Sequence, residues 1–177
     1  ASFAEGIRLS NCTMRALGGY GIWFEQGAFD GEVVGCALRD LGAGGIRIGR
    51  GHGFSGGEGE CERHNVTDNV ITDGGHIWQE GCGVLSQHAA SIDILHNEIS
   101  YMRYTGVSTG WTWGYGRTVV HHVRTMFNHI HHIGLGYLSD MGAFLFSNCF
   151  FCKHSCDDTV LRSPPCRHAT PQCIFLL

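Results

Sequence analysis

The chain has 177 residues, 43% of them hydrophobic, and a net charge of −4 from 12 Lys+Arg against 16 Asp+Glu. That is enough apolar material for one domain with a core. The shortage of basic residues, with a single lysine at Lys153, argues against nucleic acid or an anionic membrane as partner. No apolar run approaches the roughly 20 residues of a spanning helix. The chain opens on Ala1 with no leader in view, which says nothing of location.

Taken in chain order, the first element is "SNCTMRALGGYGIWF" (10–24), and it returns as "VGCALRDLGAGGIRI" (34–48) at an offset of 24 with no gap. Cys12 falls on Cys36, Met14 on Leu38, Arg15 on Arg39, Leu17 on Leu41, Gly21 on Gly45 and Ile22 on Ile46. After a polar, glycine-rich stretch (49–65), the phrase comes back as "TDNVITDGGH" (67–76) with "GVLS" (83–86). It follows again as "LHNEISYM" (95–102) with "GVST" (106–109), and as "FNHIHHIG" (127–134) with "GAFLF" (142–146). Each copy is a short alternating strand, a glycine turn and a second strand. No copy holds ten residues of helical periodicity.

A repeat of this length built from strand–turn–strand units predicts an all-β solenoid, a right-handed parallel β-helix of about five coils. Cys12, Cys36, Asn69, Asn97 and Asn128 hold one position in the repeat and are expected to form a ladder. Ile22, Ile46, Val84, Val107 and Ala143 are expected to align along one sheet. The glycines are expected to supply the positive-φ corners. His129 and His131 alternate with Ile130 and should face outward.

The composition breaks near residue 148. Every glycine lies at or before Gly142, whereas Pro164, Pro165, Pro171 and five of the nine cysteines lie in 149–177. Residues 1–148 therefore read as an incomplete β-helix domain. Residues 149–177 read as an atypical tail outside the repeat, expected to add no regular sixth coil. A zinc knuckle from Cys149, Cys152, His154 and Cys156, completed by Cys166 with His168 or by Cys173, is a second reading of the tail; its spacing is irregular, and no metal is assigned.

Function on a solenoid is carried by insertions, because loops bring chemistry to a rigid scaffold. "GHIWQEG" (75–81) and "GLGYLSD" (134–140) lengthen the same corner two coils apart, and each brings one carboxylate: Glu80, three residues before Gly83, and Asp140, two before Gly142. Coils stack at roughly 4.8 Å, so two coils separate the pair by about 9–10 Å at the backbone. Glycosidases place two carboxyl groups about 6.5–9.5 Å apart for inversion and about 5–5.5 Å apart for retention. Arg103 and Tyr104 lie on the coil between; Arg103 would hold one acid ionised, and Trp78 would favour the neutral form of the other. Trp111, Trp113 and Tyr115 alternate in "GWTWGYG" and can face one side as a sugar platform, or pack in a core. His76 and His132 flank the two loops as groove residues that could touch substrate. Asp140 could instead cap a turn and Glu80 pair with an arginine. Asp40, Asp73, Asp93 and Glu98 lie within the regular repeat and read as surface or turn residues.

The phrases "GGYGIWF", "GCALRDLGAGGIRIG", "HNEISYMRYTGVSTGWTWGYG" and "FNHIHHIGLGYLSDMGA" resemble the right-handed β-helix proteins grouped with glycoside hydrolase family 141, over about 6–146. The resemblance implies a secreted carbohydrate-active enzyme with no cofactor, with fucosidase or xylanase activity among its members and catalysis by carboxylates. It carries onto Asp140 in "LSDMG" and onto Glu80 in the "GGH…EGCGV" phrase. Two departures stand out: Ala143 replaces the second glycine of the family's LSDMGG, and the tail replaces the next coil, as a shifted reading frame or an unspliced intron would. The chain resembles an internal excerpt of such an enzyme.

The leading expectation is thus a hydrolase of plant-type polysaccharide or oligosaccharide. A polysaccharide lyase is the alternative; it needs a basic proton abstractor, here Arg103 or Arg117, and an acid cluster for Ca²⁺, and no such cluster is evident in the sequence. A non-catalytic carbohydrate-binding or structural β-helix is the third reading.

Overall fold

The computed structural model describes residues 1–51, 60–111, 119–146, 160–162 and 173–175. Coil 1 holds β1 (Arg8–Ser10), β2 (Thr13–Leu17) and β3 (Ile22–Phe24), and coil 2 holds β4 (Glu32–Val34), β5 (Ala37–Leu41) and β6 (Ile46–Gly49). Coil 3 holds β7 (Cys61–Thr67), β8 (Val70–Gly74) and β9 (Val84–Gln87), and coil 4 holds β10 (Ala89–Leu95), β11 (Glu98–Met102) and β12 (Val107–Gly110). Coil 5 holds β13 (Arg124–Met126), β14 (His129–His131) and β15 (Phe144–Phe146). The first strands of the coils pair in parallel as one sheet, the second strands as another and the third strands as a third. With no α-helix among the described residues, this is a right-handed parallel β-helix of five coils, as the repeat predicts. In the tail, β16 (Val160–Arg162) pairs antiparallel with β13, and β17 (Cys173–Phe175) antiparallel with β15.

The core is the lumen of the coil. Ile22, Ile46, Val84 and Val107 line it from the third sheet, Leu38, Ile71 and Ile99 from the second, and Val33, Val66 and Ile94 from the first, all buried. Burying each such side chain fully is worth about 1.5–3 kcal/mol. The polar ladder is continuous. Asn69 Oδ1 accepts from Cys36 N at 2.8 Å, Asn97 Oδ1 from Asn69 N at 3.0 Å, and Asn128 Oδ1 from Asn97 N at 2.9 Å. His129 is exposed while Ile130 packs against the core, as the alternation requires.

Two expectations need correction. The residue opposite Val107 is Phe144, not Ala143. Val84 pairs Val107 and Ile46 pairs Val84, so Ala143 takes the place that Gly21, Gly45, Gly83 and Gly106 hold on the coils below. Nor do glycines make most of the positive-φ corners. Those corners form three columns occupied largely by other residues: Asn11, Gly35, Asp68, His96 and Phe127; Ala16, Asp40, Asp73, Tyr101 and His132; Gly6, Asp30, Arg63, Ser91 and His122. A non-glycine residue in this region costs about 1–2 kcal/mol, less for Asn or Asp. Contacts between neighbours in the same column offset that cost. His96 stacks on Phe127 and Tyr101 on His132, each with centroids 4.9 Å apart, and Arg63 Nε donates to Asp30 at 2.7 Å. The repeated glycine has a different role: a Cβ on Gly106 would lie 2.6 Å from Ile130 Cγ2 of the next coil.

Candidate functional site

The corner between the second and third sheets differs in length from coil to coil. Coils 1, 2 and 4 cross it in four residues, from Gly18 to Gly21, Gly42 to Gly45 and Arg103 to Gly106. Coil 3 inserts residues before Gly81 and coil 5 before Met141. The coil-3 loop folds back over coil 2, where Gly42 O accepts from Ile77 N at 2.8 Å and from Trp78 N at 2.7 Å. It can lie that close because coil 2 is built there from Gly42, Ala43 and Gly44. The short corner of coil 4 is therefore left as a floor between two longer loops.

The corrected register sharpens the placement of the acids. Gly83, Gly106 and Ala143 share one column, since Val84, Val107 and Phe144 pair in turn. Counting back three from each (83 − 3, 106 − 3, 143 − 3) gives Glu80, Arg103 and Asp140. The two acids thus stand at the same count before strands two coils apart, and that count falls on Arg103 on the coil between. Both acids are exposed.

Arg103 does not do what its position suggested. Among the described residues it pairs with neither acid. Its Nη1 donates to Gly75 O at 3.3 Å and to His76 O at 3.4 Å, and its Nη2 meets His76 Nδ1 at 3.2 Å. Its guanidinium lies 4.3 Å from the ring centroid of Tyr137 on the coil-5 loop. One side chain on the floor therefore touches both walls. Since Arg can only donate, His76 Nδ1 accepts, and His76 Nε2–H points to Asp73 Oδ1 at 2.9 Å.

The acids lie beside different groups. Cys82 N donates to Tyr20 Oη at 3.2 Å, just below Glu80. Burial first, then the charge of Glu80, pushes the Cys82 thiol up to about 12, so this is an inert thiol. Burial, the Cys82 charge and, more weakly, Glu80 raise the Tyr20 phenol. Burial, the Cys82 charge and then Asp140 raise Tyr104, which lies beside Asp140 on the floor. Arg47 spreads its guanidinium 4.3 Å from the Trp23 ring centroid and 5.8 Å from that of Tyr20.

Of the other anticipated residues, His132 stands on the exposed corner column, stacked on Tyr101. Trp111 is half-buried and donates from Nε1 to Ser108 Oγ at 2.9 Å, on the outer face of the third sheet. Trp113, Tyr115, Arg117 and the zinc-knuckle side chains lie outside the described residues. Exposed aromatic rings stand on the two inserted loops instead: Tyr137, 49% exposed and against Arg103, and Trp78, 56% exposed, on the coil-3 loop. Tyr137 had no signal in the repeat, because it sits in an insertion. Asp40 and Asp73 are exposed corner residues, as the repeat suggests; register also places them opposite each other on adjacent coils, and with His76 their ligand atoms lie within 4.8 Å. This acid cluster is invisible in a sequence where the two aspartates are 33 residues apart. It is the one group among the described residues that could hold a metal. The four described cysteines, Cys12, Cys36, Cys61 and Cys82, are free thiols.

No family model matches the chain, and no curated protein matches it. A solved structure of a glycoside hydrolase is similar over 81% of this chain, with a TM-score of 0.69 and 24% identity. The likeness is one of fold. The chain spans 25% of the length of that protein.

Proposed function

We propose that this chain carries part of the active cleft of a carbohydrate-active enzyme, a glycoside hydrolase with Glu80 and Asp140 as its two carboxyl groups. The observation that supports it most is the register of the strands that follow the two loops, which puts Glu80 and Asp140 at the same count before strands two coils apart, with Arg103 and Tyr104 on the coil between. Such a pair can divide the work: one carboxylic acid protonates the leaving oxygen while the other carboxylate activates water on the opposite face of the ring. A spacing of two coils, about 9–10 Å at the backbone, puts such a pair in range for sugar chemistry. Trp78 and Tyr137 supply exposed aromatic faces on which sugar rings can stack. Arg103, Tyr104, His76 and His132 are the polar contacts, and Trp111 is a further aromatic contact. The fold shared with a solved glycoside hydrolase supports the same reading, and a fucosidase- or xylanase-like substrate and a secreted setting follow from the sequence resemblance.

The experiment is hydrolysis of aryl fucosides, aryl xylosides and plant oligosaccharides by the chain and by Asp140→Asn and Glu80→Gln. Each isosteric change should lower kcat by at least about 10²-fold while oligosaccharide binding and melting temperature hold. Full turnover in either variant would remove that residue from the chemistry. Release of an unsaturated product absorbing in the near ultraviolet would replace hydrolysis by elimination, a reading to which the Asp40–Asp73 cluster lends an acid group.

A further inference from the structure

Arg47 is half-buried on the outer face of the third sheet, opposite Leu85, and its guanidinium is flanked by aromatic rings. Its guanidinium lies against Trp23 and Tyr20. Among the described residues it has no ion pair and no hydrogen bond, and its Nε is buried without a partner. Every other arginine around the site has a polar partner: Arg103 the carbonyls of Gly75 and His76, and Arg50 the Gln26 side chain. A charged donor removed from water with no acceptor is costly, so such groups are normally paired. We infer that Arg47 is the receptor for an oxyanion on the glycan, the carboxylate of an acidic sugar or a sulfate ester, held beside Glu80.

The geometry points to the same cleft as the reading above, on which this inference rests. Arg47 faces Tyr20, Tyr20 Oη accepts from Cys82 N, and Cys82 follows Glu80 by two residues. The four groups form a continuous path from the anion site to the proposed acid. Among the described residues no carboxylate pairs with Arg47, so its two Nη groups keep donors for a ligand, while the buried Nε is closed to one. A planar fork matches a carboxylate or sulfate edge with two parallel bonds. Trp23 is 38% exposed and offers its free face to a sugar ring, while its Nε1 is already committed to Gly49 O at 3.0 Å, which fixes the ring. An anion-reading arginine braced by an aromatic ring is a specificity element: it selects acidic from neutral glycans and takes no part in bond cleavage.

The test is calorimetric titration of the chain with a trigalacturonic acid, its methyl ester and a sulfated oligosaccharide. The acid or the sulfated glycan should bind about ten-fold more tightly than the ester, with an advantage that shrinks as salt rises. Binding of the acid assigns the carboxylate as the source, and binding of the sulfated glycan alone assigns the sulfate ester. Arg47→Gln should erase the preference, and Arg47→Lys should keep only part of it, because an ammonium lacks the fork. Equal binding of ester and anions, no binding of any, or an unchanged preference in a folded Arg47→Gln would overturn the inference. If Arg47→Gln does not fold, Trp23→Phe serves in its place and should weaken anion binding. Hydrolysis of neutral glycosides that depends on Asp140, with no anion preference, would sink this inference and leave the proposed function standing.

Discussion

Asn69 and Asn97 lie one above the other on adjacent coils, both 1% exposed, with Asn69 Nδ2 donating to Asn97 Oδ1 at 2.9 Å. The same oxygen accepts from the backbone N of Asn69, while Asn97 Nδ2 donates to Val66 O and to Asn128 Oδ1, both at 2.9 Å. The side chain of Asn97 thus satisfies groups on the coils to either side of its own. Asn97→Ala should cost about 3 kcal/mol or more, since each buried group left unpaired costs about 1–3 kcal/mol. Asn128→Ala, at the half-buried end of the ladder, should cost less. Urea unfolding midpoints of the two variants check the order; equal losses would mean that the ladder is not the source of the stability.

His64 is buried in the lumen and stacks on Phe24 at 4.8 Å. Gly31 N donates to its Nδ1 at 3.1 Å, so the ring proton lies on Nε2 and is donated to Ala28 O at 3.0 Å. Burial lowers its pKa from 6.5 to about 4. The unfolded chain therefore takes up a proton near pH 6.5 that the folded chain refuses until about pH 4. Stability from His64 is complete above pH 6.5 and lost as the pH falls through that window, by roughly 3 kcal/mol in all. In His64→Phe the slope of stability between pH 6.5 and 4 should flatten, even though the variant starts from a lower value.

Gly106→Ala should destabilise by about 1–3 kcal/mol, because the new methyl would meet Ile130 Cγ2 at 2.6 Å and Ala143 O at 2.8 Å. Ile130→Ala in the same chain should recover part of the loss by removing one of the two obstacles. Gly19→Ala, where nothing lies within 4 Å, should be neutral. Equal effects at Gly106 and Gly19 would show that backbone freedom, and not space, keeps glycine in the column.

Arg103→Met should loosen both walls of the cleft together. It removes three polar contacts to the coil-3 loop and the contact with Tyr137 on the coil-5 loop. Amide exchange in 76–80 and 135–140 should rise by about ten-fold or more, matching the loss of about 1.5–3 kcal/mol of charge-assisted contacts, while the ladder strands hold. Arg103→Lys should restore little of this, because the fork and the stacked plane are lost. Faster exchange in one loop alone would break the link between them.

What the sequence made legible was whatever repeats. The 24-residue offset, the strand order and the Asn ladder came from positions that recur, and the same physical demand recurs with them. The error at Ala143 arose because Gly142 looks like the glycine column, whereas the coil-5 insertion is one residue longer than the phrase suggests. The corner columns misled for a different reason. Tyr101, His132 and Asp73 adopt positive φ because stacked or charged neighbours hold them there, and such support is visible only once coils are superposed. Glu80 and Asp140 were legible as insertions. Asp40, Asp73, Arg47 and Tyr137 were not, because their partners sit a coil away or on a loop without periodicity.

The asparagine ladder has one further property. Asn69 gives its amide hydrogen to Asn97, and Asn97 gives its own to Asn128, so every bond runs in the same sense along the axis. A file of amides aligned in this way polarises along its length and makes the two ends of the coil chemically unlike. At the early end thiols take the place of amides, with Cys36 Sγ donating to Leu9 O at 3.6 Å and Cys12 Sγ to Ser10 O at 3.4 Å. At the late end Asn128 Oδ1 accepts from Asn97 N and Nδ2, both at 2.9 Å, and its own Nδ2 donates to Ile94 O at 2.8 Å. The ladder is therefore vectorial: its first and last members present different groups to whatever stacks on them.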